Sequence, residues 1–226
     1  MMYRHVKRAA DIVCALIGII GTSPAWLFAI VGILISDPGK IFYVSTRIGK
    51  NNKPFRMYKF RSMKEAKAAN EASLRADNSR IFPFGNLIRS LKIDELPQLL
   101  NILNGTMSVI GPRPVANDQR ELFRTGRWNK AAEVQVGLSG PAALYDFIYG
   151  DSITDEDEYM EKVFPTRREL EVTYVNKMSL SYDIKMVLYT LISIFYRVFG
   201  KNPEWMLREF IADAKQSTKN YKSEQQ

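Results

Sequence analysis

Histidine and cysteine are all but missing from these 226 residues, with His5 and Cys14 the sole examples. One cysteine excludes an internal disulfide and any cysteine cluster for zinc or iron–sulfur, and it suits a reducing, cytoplasmic setting. One histidine near the start leaves no material for a Ser-His-Asp triad, a histidine metal site or a histidine acid–base pair elsewhere. Chemistry must come from Asp, Glu, Lys, Arg, Ser or Tyr, and a metal would be a hard cation held by oxygens, such as magnesium. That inventory points toward phosphate chemistry.

Acidic residues are scarce in the first half. Residues 1–113 carry 17 Lys and Arg against 7 Asp and Glu, whereas residues 114–226 carry 15 against 17, so the net charge of +8 arises in the first half. An anionic partner is implied: nucleic acid, an acidic membrane surface or a phosphorylated substrate.

Charge is absent altogether from residues 12–36, a 25-residue run bounded by Asp11 and Asp37. As one helix it would exceed the roughly 30 Å of a bilayer core. The run is too long for the apolar region of a secretory signal and is expected to stay in the mature protein. Ser23-Pro24 interrupts it: a mid-helix proline leaves the carbonyl of Ile20 without its N–H partner, and the Ser23 hydroxyl can reach back one turn. Basic residues lie on both sides, Arg4, Lys7 and Arg8 before and Lys40, Arg47, Lys50 and Lys53 after. Because the positive-inside bias keeps both flanks cytoplasmic, it favours a re-entrant hairpin over a kinked span, and the length of the charge-free run argues against the buried hairpin of a soluble core.

In the polar body, residues 41–44 and 55–60 read as strands of a hairpin around Gly49-Lys50-Asn51-Asn52, and residues 64–76 as a solvated helix. Residues 84–90 and 96–103 place Leu87, Ile88, Leu96, Leu99, Leu100 and Leu103 at helical spacing and are expected to pack together. Pro97 belongs in a first turn, which puts Asp94 at or just before a helix start and Glu95 in the first turn, with free backbone amides around both. Two acids there are either a cap with a dipole-complementing neighbour or a reactive pair. Arg113 sits between Pro112 and Pro114, either an incidental loop arginine or one stiffened to grip an anion. Residues 151–161 read as a solvated acidic stretch. Residues 180–195 and 205–210 read as helices that lie in a membrane interface or cover the core, followed by a flexible basic tail.

Taken together, the chain resembles the small monotopic phosphoglycosyl transferases of bacteria, the initiating sugar transferases of glycoconjugate synthesis. The resemblance runs through Tyr3-Arg4, Lys7-Arg8, Asp11, Ser23-Pro24, Tyr58-Lys59-Phe60-Arg61-Ser62-Met63, Gly85, Leu87 and Arg89. It continues in Asp94-Glu95-Leu96-Pro97-Gln98-Leu99, Gly111-Pro112-Arg113-Pro114 and residues 180–191.

It implies Asp94 as nucleophile, Glu95 as the magnesium ligand, and Lys59, Arg61, Arg89, Pro112, Arg113 and Pro114 as the substrate-binding set. The implied reaction moves a sugar phosphate from a UDP-sugar to a polyprenyl phosphate, releasing UMP, at the cytoplasmic face of the bacterial inner membrane. The expected fold is α+β and mostly helical: a re-entrant membrane helix over residues 1–40, a catalytic body over 41–214 with a short β-hairpin and interfacial amphipathic helices, and a tail over 215–226. A phospholipid membrane is an expected partner and nucleic acid is not; the resemblance leaves room for a second copy or a downstream glycosyltransferase. One departure stands out. Where the family has Pro-Gly-Ile-Thr-Gly followed by an arginine-containing loop, this chain has Val136-Gly137-Leu138-Ser139-Gly140-Pro141, with Arg167 or Arg168 as candidate replacements for that arginine.

Overall fold

The computed structural model describes residues 2–64 and 78–223, so the helix expected over residues 64–76 lies, apart from Lys64, outside the described residues. The uncharged run folds into the second half of α1 (Met2–Gly21) and all of α2 (Ser23–Ser36). No single helix among the described residues is long and apolar enough to cross a membrane; the two together are, bent by 59°. The bend follows from local chemistry. Pro24 supplies no N–H to Ile20, and the Ser23 hydroxyl donates to that carbonyl instead at 2.8 Å, while the Thr22 hydroxyl donates to the Gly18 carbonyl at 2.6 Å. Ile20 and Ile35 are 73% and 79% exposed, whereas Ala15, Ala29 and Ile33 are fully buried against the body.

The polar start of α1 is tied inward. Arg8 donates to the carbonyls of Ile102 and Leu103 at 2.6 and 2.8 Å, Lys7 and Tyr3 bond to Asp183 at 2.7 and 2.9 Å, and buried Asp11 accepts from Val109 N–H at 2.9 Å. Lys7 and Arg8, expected in a basic flank, are therefore internal fasteners.

Strands β1 (Phe42–Ile48) and β2 (Pro54–Phe60) form the expected hairpin, longer than the apolar residues alone suggested. Helix α3 (Pro83–Ser90) buries Ile88 with Phe60, Ala29 and Ile33, and α4 (Gln98–Leu103) buries Leu99 and Ile102 with Ala15 and Met57. The two helices thus face different halves of the bent pair rather than each other, leaving Leu87 and Leu100 exposed; Leu96 touches both clusters. Gly85 lets α3 approach closely, since a Cβ there would meet the Ser62 carbonyl oxygen at 2.0 Å.

Strand β3 (Met107–Ile110) leads through β4 (Val115–Ala116), which completes a sheet of order β2-β1-β4. After α5 (Arg120–Phe123), β5 (Val136–Ser139) pairs in parallel with β3. Helix α6 (Pro141–Tyr145) runs into a π-helical turn at Asp146–Gly150. Helices α7 (Glu156–Lys162), α8 (Phe164–Lys177) and α9 (Leu180–Val198) follow.

The last helix, α10 (Arg208–Ser223), takes in most of the stretch expected as a flexible tail, where Gln216 bonds Asn220 at 2.8 Å and Arg127 stacks on Tyr221 at 4.2 Å. Around α8 the main core gathers Leu144, Phe147, Leu170, Tyr174, Met186 and Phe210. Exposure separates the residues of the C-terminal end, where Trp205 is 53% exposed. Met206 and Phe210 are core residues, while α9 presents Ile184, Leu188, Leu191 and Phe195 outward. The chain is mostly helical with a small β region and an apolar N-terminal helix pair.

Candidate active site

Asp94 and Glu95 lie one step earlier than expected, in a separate 3₁₀ turn at Ile93–Glu95 that precedes α4. The turn uses the amides expected to surround the carboxylates, as Glu95 N–H bonds Lys92 O at 3.2 Å and Leu96 N–H bonds Ile93 O at 3.1 Å. Side-chain cations compensate the acids instead.

Strand geometry brings the first of them. Successive residues of β2 alternate faces, so Lys59 shares the face of Met57, which is seated against α4. Asn101 of α4 then bonds the open edge of β2, accepting from Tyr58 N–H at 3.0 Å and donating to Arg56 O at 2.7 Å. With α4 held there, Lys59 Nζ meets Glu95 Oε1 at 2.8 Å.

The two carboxyls are driven apart electrostatically. Burial pushes Asp94 above the usual carboxylate range, with Lys59 opposing, Glu95 adding, and Lys92 and Arg89 opposing further. Burial acts the same way on Glu95, but Lys59, then Lys92 and Arg113, outweigh it and hold the carboxyl well below that range. Asp94 is 5% exposed and its carboxylate has no hydrogen bond or ion pair among the described residues. One acid is therefore a relatively basic, uncommitted carboxylate and its neighbour a fixed anion.

Arg113 is positioned by glycines. The carbonyl of Pro112 accepts from Gly137 N–H at 2.8 Å and Gly111 N–H donates to Ser139 O at 2.9 Å; a Cβ on Gly137 would lie 2.1 Å from Gly111 N. Its Nε stands 3.6 Å from Asp146 Oδ2. Arg167 approaches the same carboxylate at 3.6 Å and bonds the Tyr159 hydroxyl, so of the two candidate replacements it is the one joined to Arg113. Arg168 turns away, onto the Trp128 ring at 3.3 Å.

Lys59, Asp94, Glu95, Arg89 and Arg113 thus share one electrostatic neighbourhood, with Pro112 and Pro114 bracketing Arg113. Arg61 does not join them: its guanidinium is bound by the Asp37 carboxylate and the carbonyls of Asp37 and Lys40, fastening β2 to the end of α2. Sequence reasoning missed Lys92, Asn101 and Asp146. Asn101 and Asp146 had a signal, each a lone polar residue in an apolar stretch, whereas Lys92 had none.

Among the described residues no three His, Cys, Asp or Glu side chains converge on a metal position. Two adjacent carboxylates fit magnesium, which takes one or two protein carboxylates and completes its shell with water and substrate phosphates.

Residues 2–197 match the family model described as bacterial sugar transferase. The chain is 34% identical over 195 residues to the UDP-glucose:undecaprenyl-phosphate glucose-1-phosphate transferase of Escherichia coli K12, covering 85% of this chain and 40% of that one. It is 35% identical over 196 residues to the UDP-N-acetylgalactosamine-undecaprenyl-phosphate N-acetylgalactosaminephosphotransferase of Aeromonas hydrophila, covering 85% and 44%. Against the uncharacterized sugar transferase EpsL of Bacillus subtilis it is 34% identical over 186 residues, covering 82% and 85%. The chain spans less than half the length of the first two relatives and most of the third.

Proposed function

The chain belongs to the bacterial sugar transferase family, and from that premise we propose that it transfers a sugar 1-phosphate from a UDP-sugar to a polyprenyl phosphate such as undecaprenyl phosphate. The names of its relatives support the substrate classes. The observation that carries the reading is the division of labour between the acids: buried Asp94, without a bonded partner, beside Glu95 clamped by Lys59.

A carboxylate of raised basicity is the better nucleophile. An oxygen of Asp94 attacks the sugar-bearing phosphorus, the bond to the UMP oxygen breaks, and the sugar phosphate is left as an acyl phosphate on Asp94. A phosphate oxygen of the polyprenyl acceptor then attacks the same phosphorus, the bond to Asp94 breaks, and the carboxylate returns. Glu95, with substrate oxygens, would hold magnesium, which supplies charge neutralisation when bound. Arg113 and Lys59 face the donor's phosphates, and Arg89 the acceptor's.

Residues 1–40 form the membrane element in this reading, re-entrant at Ser23-Pro24, with the body of residues 41–214 on the cytoplasmic face of the inner membrane and the apolar face of α9 in the interface. A lipid acceptor and a soluble donor require a site at that boundary.

Purified protein with magnesium, polyprenyl phosphate and a panel of UDP-sugars is expected to release UMP, and Asp94→Asn to abolish the release. Without acceptor, mass spectrometry is expected to find the phosphosugar on Asp94. No UMP from any donor, or an Asp94→Asn variant that turns over like the parent, sinks the proposal; an adduct on another residue removes Asp94 as nucleophile.

A further inference from the structure

The turn bearing Asp94 and Glu95 starts from Lys92, a residue with a Cβ held in the left-handed region at φ 57°. Lysine gains nothing from that conformation, and local strain of this kind persists where surrounding structure imposes it. Its side chain shows what it accomplishes. Lys92 Nζ stands 4.8 Å from the centroid of Phe147, a buried ring in the π-helical turn Asp146–Gly150.

Residues 141–150 contain no lysine or arginine, so the cation on this ring comes from elsewhere in the chain. Arg197 lies 4.7 Å from the same centroid, but its guanidinium is 3.3 Å from Asp151 and is balanced there. Lys92 has no ion pair among the described residues. It is close enough to favour the ionised forms of Asp94 and Glu95, yet it bonds neither. A half-buried cation on an aromatic face, beside two carboxylates and against the turn that carries Asp146, the partner of Arg113, is placed to take an anion.

We propose that Lys92, seated on Phe147, binds a phosphate group of a substrate at the Asp94–Glu95 site. The inference rests on the transferase reading for the identity of that phosphate, which belongs either to the diphosphate of the nucleotide sugar or to the polyprenyl phosphate.

Binding separates the two sources without requiring turnover. Titration calorimetry on the full chain in detergent with magnesium measures UDP in one arm and a short-chain polyprenyl phosphate in the other. Lys92→Gly removes the cation while suiting the positive φ, so its thermal midpoint is expected to match or exceed the parent's. Its affinity for one of the two ligands is expected to fall about tenfold, with UDP identifying the donor and polyprenyl phosphate the acceptor. Lys92→Arg is expected to keep most of that affinity, and Phe147→Leu to weaken the same ligand to a smaller degree. Unchanged affinity for both ligands in Lys92→Gly overturns the proposal, as does a Lys92→Arg variant equally weakened. The transferase reading is judged separately, by UMP release from the parent.

Discussion

Asn101 stands against Tyr58 as a neighbouring strand residue would, its Oδ1 accepting the Tyr58 N–H at 3.0 Å while its Nδ2 donates to the carbonyl of Arg56 at 2.7 Å. The residue is fully buried, so truncation strands two backbone groups without water, at about 1–3 kcal/mol each. Asn101→Ala is therefore expected to lower the thermal midpoint clearly. Because the same contact aligns α4 with Lys59, the variant is also expected to lose UMP release disproportionately, measured below its own midpoint.

The raised Asp94 carboxyl predicts an acid limb in kcat/KM. A protonated carboxyl does not attack phosphorus, so activity is present above the pKa and lost as pH falls through it, in a range higher than that of an ordinary aspartate. Lys59 is the largest influence favouring the ionised form, and Lys59→Met is expected to move the limb to still higher pH. A pH–rate series on parent and variant checks both directions; a limb shifted downward in Lys59→Met contradicts the assignment.

Arg61 and Arg113 are expected to fail in different ways. Removing the Arg61 side chain leaves Asp37 and two carbonyls without their donor, so Arg61→Ala is expected to cost about 3 kcal/mol or more of stability with the donor KM nearly unchanged in the surviving folded protein. Arg113→Ala is expected to raise the donor KM about tenfold or more with a modest change in midpoint. Steady-state kinetics beside thermal melts separates the two.

Gly137 tests how Arg113 is placed. A methyl there would lie 2.1 Å from Gly111 N and 2.3 Å from Ser139 O, both backbone atoms, so β5 and the Pro112-Arg113-Pro114 segment must part. Gly137→Ala is expected to destabilise by about 2 kcal/mol or more and to raise the donor KM.

The outward row of α9 is the test of membrane contact. Leu191 and Phe195 are each 61% exposed, so glutamate at both is expected to leave the melting temperature unchanged and the protein still held by α1 and α2, while making it easier to extract from membranes with alkaline carbonate than the parent.

Legibility in the sequence followed the range of the interactions. The break at Ser23-Pro24 and the β1–β2 hairpin could be read because each is decided within a few residues, by a missing N–H and by strand and turn residues. The Asp94–Glu95 pair was visible, but its setting was not. Lys59 lies 36 positions from Glu95, and their meeting depends on Met57 and Asn101 docking β2 on α4. The partner of Arg61 was not legible for the same reason, Asp37 being set by how α2 ends against β2. Helical spacing showed that α3 and α4 each carry an apolar stripe, but periodicity cannot say which surface a stripe meets.

The fasteners of α1 carry a practical consequence. Arg8 holds the end of α4, Asp11 holds β3, and Ala15 closes the cluster around Leu99 and Ile102. An apolar helix pair joined in this way is part of the packing that supports α4 rather than a leash on the body. Removing residues 1–36 to obtain a detergent-free enzyme would uncover the face of α4, the helix that follows Asp94 and Glu95, on which α1 packs; solubility is better sought by changing the outward side chains of α1 and α2 and leaving their inward ones in place.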